Sequence, residues 1–73
     1  MKLKMLIIGS ATRTMRAQEL LGRHGIFARI KRLDNPSEGC VRALLVEDGQ
    51  SARAKSLLAD GGIAVKRIED VRA

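Results

Sequence analysis

"AQELLGRHGI", Ala17 to Ile26, and "AKSLLADGGI", Ala54 to Ile63, are two versions of one pattern. Alanine, Leu-Leu, glycine and isoleucine recur at the same spacing, 37 residues apart, with Arg16 and Arg53 in register just before them. Ala17, Leu20, Leu21 and His24 fall on one side of a helix, and Ala54, Leu57 and Leu58 repeat that stripe. Gly25 is the expected left-handed stop of the first helix, and the pair Gly61-Gly62 stops the second. Ser10 and Thr12 can cap a first helix starting near Ala11, and Asp48 or Ser51 a second. Glu19 precedes Arg23 by four residues, a favourable pair on the outer face.

Outward from each helix the pattern changes to that of strands. Upstream lie the apolar runs "LKMLIIG" (Leu3–Gly9) and "CVRALLV" (Cys40–Val46). Downstream lie the alternating segments "IFARIKRL" and "IAVKRIE". Each half therefore reads strand, helix, strand, over about residues 3–33 and 40–69, within one domain spanning 1–73. Two such units with right-handed crossovers predict an α+β, ferredoxin-like βαββαβ sandwich. Its four-stranded antiparallel sheet would run in the order 4-1-3-2, with both helices on one face. The two central strands are apolar on both sides. Either Leu6, Ile8, Leu44 and Val46 or the alternating set lies on the uncovered face, where an apolar patch would mark an interface.

Size and composition narrow the function. A chain of 73 residues is one small domain, which buries only about 60% of its unfolded surface. One cysteine excludes an internal disulfide, and His24 with Cys40 alone makes no structural zinc site. No metal site or cofactor motif is expected, and self-association as a homodimer would help so small a core. The run Met5 to Ile8 is too short for an export signal or a membrane span, so a cytoplasmic protein with no membrane partner is expected. The charge is +6, from 14 Lys and Arg against 8 Asp and Glu. That invites a nucleic-acid role, but Phe27 is the single aromatic and the basic residues are scattered. Base stacking, worth about 1–3 kcal/mol per base, has no platform, so nucleic acid is the disfavoured partner.

The link between the halves, "DNPSEGCVR" (Asp34–Arg42), holds the lone proline and the lone cysteine. In the expected topology the start of the third strand lies beside the end of the first, which leads into the first helix. Cys40 should therefore sit near Gly9, Ser10, Thr12 and Arg13. A helix N-terminus carries unpaired N–H groups and partial positive charge, and such surroundings favour a thiolate. Lys31 and Arg32 are expected to end the second strand at the same edge. Gly39 removes a side chain beside the sulfur, and Pro36 stiffens the loop. Asp34 and Glu38 oppose the effect with negative charge. Cysteine also behaves as a small buried hydrophobe, so a purely structural Cys40 is the competing reading. His24, at the far end of its helix, is expected to cap or face solvent. No Ser/His/Asp set, paired carboxylate site or phosphate loop is present.

The pieces "IIGSATRTMRAQELLGRHGI" and "NPSEGCVRALLV" together resemble a small bacterial family of selenium/sulfur carrier protein-like domains, over roughly residues 5 to 65. The specific element is a proline followed by a Gly-Cys pair that opens the third strand; Val41 stands where that family tends to have a second glycine. The resemblance implies that Cys40, with Gly39 beside it, carries sulfur or selenium, loaded by a sulfur- or selenium-donating partner protein. It implies a carrier more than an enzyme. Two other roles stay open from the residues: a regulatory or protein-interaction module without thiol chemistry, and a basic nucleic-acid-binding domain.

Overall fold

A computed structural model describes residues 2–35 and 39–72. The elements follow in the order β1 (Lys2–Gly9), α1 (Ala11–Arg23), β2 (Arg29–Asn35), β3 (Gly39–Glu47), a 3-10 turn (Asp48–Gln50), α2 (Ser51–Asp60) and β4 (Arg67–Arg72). The strands form one antiparallel sheet in the order β2-β3-β1-β4. This is the ferredoxin-like α+β sandwich. The expectations for Pro36 and Glu38 lie outside the described residues.

The helices decide which face of the sheet is covered. Ala17 and Leu21 of α1 and Ala54 and Leu58 of α2 pack with Leu6, Ile8, Leu44 and Val46 in the main core. The opposite face carries Met5, Ile7 and Ala43, flanked by Leu33, Leu45 and Val71. Its centre is closed within one chain: Ile7 and Ala43 are fully buried and Met5 is 8% exposed. Alternation alone could not separate the two faces, because both are apolar.

The repeat is visible atom by atom at the helix ends. The Ile26 N–H donates to Leu21 O (2.9 Å), and the Ile63 N–H donates to Leu58 O (2.8 Å). Gly25 and Gly62 take nearly the same left-handed φ, 78° and 79°. The strands after these turns begin later than their alternation suggests, at Arg29 and Arg67. Ile26 and Ala28 are core plugs ahead of β2. The Gln18 side-chain amide fixes that approach by donating to Ala28 O (2.9 Å).

The helix starts differ. Ser10 caps α1 as expected, its Oγ accepting from the Arg13 N–H (3.2 Å). Thr12 takes no part in the cap and stands exposed. The fully buried Thr14 donates its hydroxyl to Ser10 O at 2.6 Å, which satisfies its polar group inside the core. Neither Asp48 nor Ser51 caps α2: its first residue follows Gln50 with no side-chain cap. Asp48 instead lies 3.6 Å from Lys4, and the Ser51 hydroxyl donates to Asp48 O (2.8 Å). The 3-10 turn supplies the first turn that a cap would otherwise begin.

Candidate functional site

The sheet end where β1 runs into α1 gathers the residues singled out in the sequence. Gly9 pairs with Arg42 across β1 and β3, after a bulge between Ile7 and Gly9. Cys40 is two residues further along β3, about 7 Å in extended backbone. Register sets it opposite Asp34 on β2, with Gly39 opposite Asn35. The backbone of Gly39 and Cys40 is thus at the same end of the molecule as the first turn of α1.

The side chains of that turn do not converge. The Ser10 hydroxyl is committed as acceptor to the Arg13 N–H, and its own O–H remains able to donate. Thr12 lies on the outer surface of α1 with Met15 and Arg16. Arg13 lines a groove beside the turn after α2, together with Arg16, Leu20 and Ile63. The segment holding Ile63 leads into β4, which lies on the other side of β1 from β3. Lys31 and Arg32 do not end β2: the strand continues to Asn35, and they pair with Ala43 and Arg42. His24 is exposed at the C-cap of α1, where its carbonyl accepts from Arg53 Nη2 (3.4 Å).

One cation was not legible in the sequence. Gly9 adopts φ 107°, and a Cβ built there would stand 3.1 Å from Lys66 Nζ. The Lys66 N–H also donates to Ile7 O (2.8 Å). Lys66 therefore brings an ammonium group against the backbone at the β1–α1 junction. The signal is absent because Lys66 belongs to an irregular segment, and only the sheet pairing brings it to Gly9.

At the other end of β1, Lys4 bonds Asp70 on the paired position of β4 and lies near Asp48. The hydrogen bond to Asp70 raises the Lys4 pKa above its ordinary value, and the same bond lowers that of Asp70. This clamp joins β4 and the turn after β3 to β1. Among the described residues no three His, Cys, Asp or Glu side chains gather as a metal site, and no helix is long and apolar enough to cross a membrane.

Comparison with known proteins finds no match to a family model, a curated protein or a solved structure. The resemblance to the carrier family rests on the quoted residues alone.

Proposed function

We propose that this domain is a small cytoplasmic carrier whose Cys40 thiol takes up sulfur or selenium from a partner protein. The observation that supports the reading is the register that brings position 40 to the sheet end shared with the start of α1. Partial positive charge at a helix start and the Lys66 ammonium group both favour a thiolate in this neighbourhood. Ser10 has a hydroxyl proton to offer. In the loading step the Cys40 thiolate attacks the outer sulfur of a partner's persulfide. A new S–S bond forms on Cys40, the partner's S–S bond breaks, and the partner leaves as a thiolate, with no net oxidation. Gly39 belongs to this reading as an open approach; Arg13, expected beside the thiol, lines the groove beside the turn after α2 instead. Thr12 enters only through its backbone in the first turn.

Intact mass measurement of protein purified without reductant should show the mass of one added sulfur or selenium atom on Cys40. Alkylation rates against pH should give a thiol pKa below the ordinary value of about 8.5. Asp34→Asn should lower that pKa further, because it removes a negative charge at the position paired with Cys40 in the register of β2 and β3. A thiol that titrates at or above its ordinary value, with no adduct, removes the carrier reading.

The second reading is a regulatory or interaction module. The arginine-lined groove beside α1 favours it, and Cys40→Ser would then leave partner binding unchanged. Pairing of two copies would use the open sheet face, where Leu33, Leu45 and Val71 stay partly exposed. Sedimentation that finds a monomer at every concentration removes that part. A nucleic-acid role is weaker. The open face presents no aromatic ring at its centre, and Phe27, 78% exposed, lies in the loop before β2.

A further inference from the structure

The groove between α1 and the turn after α2 encloses about 550 Å³. That is within the range of about 300–1,000 Å³ typical of small-molecule sites. Arg13, Arg16 and Arg23 line it against a single carboxylate, Glu19. Glu19 is already engaged, 3.1 Å from Arg23. Among the described residues the guanidinium groups of Arg13 and Arg16 have neither an ion-pair nor a hydrogen-bond partner. They stand three residues apart on one helix, a spacing that lets two side chains reach one ligand. Leu20 and Ile63, both half-buried, form an apolar wall, and Gly61 and Gly62 leave the facing backbone bare. The floor is tight: a Cβ on Gly61 would stand 2.7 Å from Leu20 Cδ2.

The internal repeat supplies a control within the same molecule. Arg53 is the counterpart of Arg16, and its guanidinium reaches across to His24 O (3.4 Å) at the end of α1. Arg16 makes no such contact with the matching turn after α2. Gln50, uncharged, stands where the first copy has Arg13. Thus one copy ties its arginine to the neighbouring helix, and the other holds two arginines open toward a groove.

We propose that this groove binds a small molecule bearing at least two negative charges, with phosphate or carboxylate groups clamped by Arg13 and Arg16 and its uncharged part against Leu20 and Ile63. Planar guanidinium forks suit both kinds of oxyanion. The proposal does not depend on Cys40.

The test titrates the isotope-labelled full chain with pyrophosphate and, separately, citrate at fixed ionic strength, following backbone amides by NMR. Saturable shifts should centre on Arg13, Arg16 and residues 61–63. The two titrants decide between phosphate and carboxylate as the preferred group. Arg13→Ala with Arg16→Ala should weaken binding at least about tenfold, as loss of charge-assisted contacts predicts. Arg16→Gln alone should weaken it with the amide spectrum otherwise unchanged, which separates binding from folding. Arg53→Ala and Cys40→Ser should leave the affinity as it was. Absence of saturable shifts with both titrants, shifts spread over all the basic surface, or equal weakening by Arg53→Ala would overturn the proposal.

Discussion

Ala17, Leu21 and Gly25 in the first copy of the repeat match Ala54, Leu58 and Gly62 in the second. The alanines and leucines are fully buried, and the glycines share one backbone conformation. The helical stretches have the same length if the 3-10 turn is counted: Ala11–Arg23 in one copy, Asp48–Asp60 in the other. The strands before them do not match at that spacing. Leu6 and Ile8 face the helices in β1, and their structural equivalents in β3 are Leu44 and Val46, 38 residues on. The helices repeat at 37. The bulge at the end of β1 absorbs the extra residue. The core-forming part of the unit is therefore shared, and the copies diverge at the junction between strand and helix, where Ser10, Gly9 and Lys66 meet.

The strongest way to break the equivalence is to empty matching core sites. Leu21→Ala and Leu58→Ala should each cost about 2–5 kcal/mol, measured as a fall in the urea midpoint. For a domain this small that is a large share of a total of about 5–15 kcal/mol. A mild effect at one site beside a severe one at the other would show that the two halves do not share the core equally.

Glycine substitutions probe the turns. Gly25→Ala and Gly62→Ala should each lose about 1–2 kcal/mol, because both replace a left-handed residue. Their losses should be similar. Gly9→Ala should exceed both in denaturant melts, since φ 107° is less accessible to alanine and Lys66 must also move.

Helix starts should separate the copies next. Ser10→Ala should cost about 1 kcal/mol by loss of the cap. Ser51→Ala should cost less, since that hydroxyl accepts no N–H from α2. Equal losses would mean that the 3-10 turn depends on Ser51 as much as α1 depends on Ser10.

The smallest effect concerns the clamp at Lys4. Asp70 has its pKa lowered by the hydrogen bond from Lys4. Its contribution is present above the ordinary value of 3.8 and is lost as pH falls through the lower folded value. Lys4 has its pKa raised, so its contribution is present below 10.5 and fades as pH rises beyond the folded value. Asp70→Asn should remove this share of the acid limb, visible as a slightly flatter dependence of the melting temperature on pH. An unchanged acid limb would assign it to other carboxylates.

Much of the fold was legible because local signals agree in both halves. Leu-Leu pairs, glycine stops and alternating strands gave the element order and, with right-handed crossovers, the sheet order. The covered face was not legible, since Leu6 and Ile7 are equally apolar neighbours on opposite sides of β1. The strand alignment at 37 residues also hid the bulge, because Gly9 reads as an ordinary strand end. For the candidate site, the end of the sheet that holds position 40 is legible in the sequence through antiparallel pairing. The place of Arg13, in the groove beside the turn after α2, was not legible. That destination depends on how closely Leu20 approaches Gly61, which is a property of helix packing and leaves no local pattern.

The bulge at Gly9 has a further consequence for how β1 finds its place. A strand with one oily side and one polar side selects its own alignment, because sliding by one residue would turn the wrong side inward. From Met5 to Ile8 this strand offers no such choice: Leu6 with Ile8 and Met5 with Ile7 would each fill an apolar layer. The kink at one end and the Lys4 clamp at the other act as end stops. They fix the alignment that hydrophobicity leaves undecided, so weakening both together would favour chains that are compact but threaded one residue out of step.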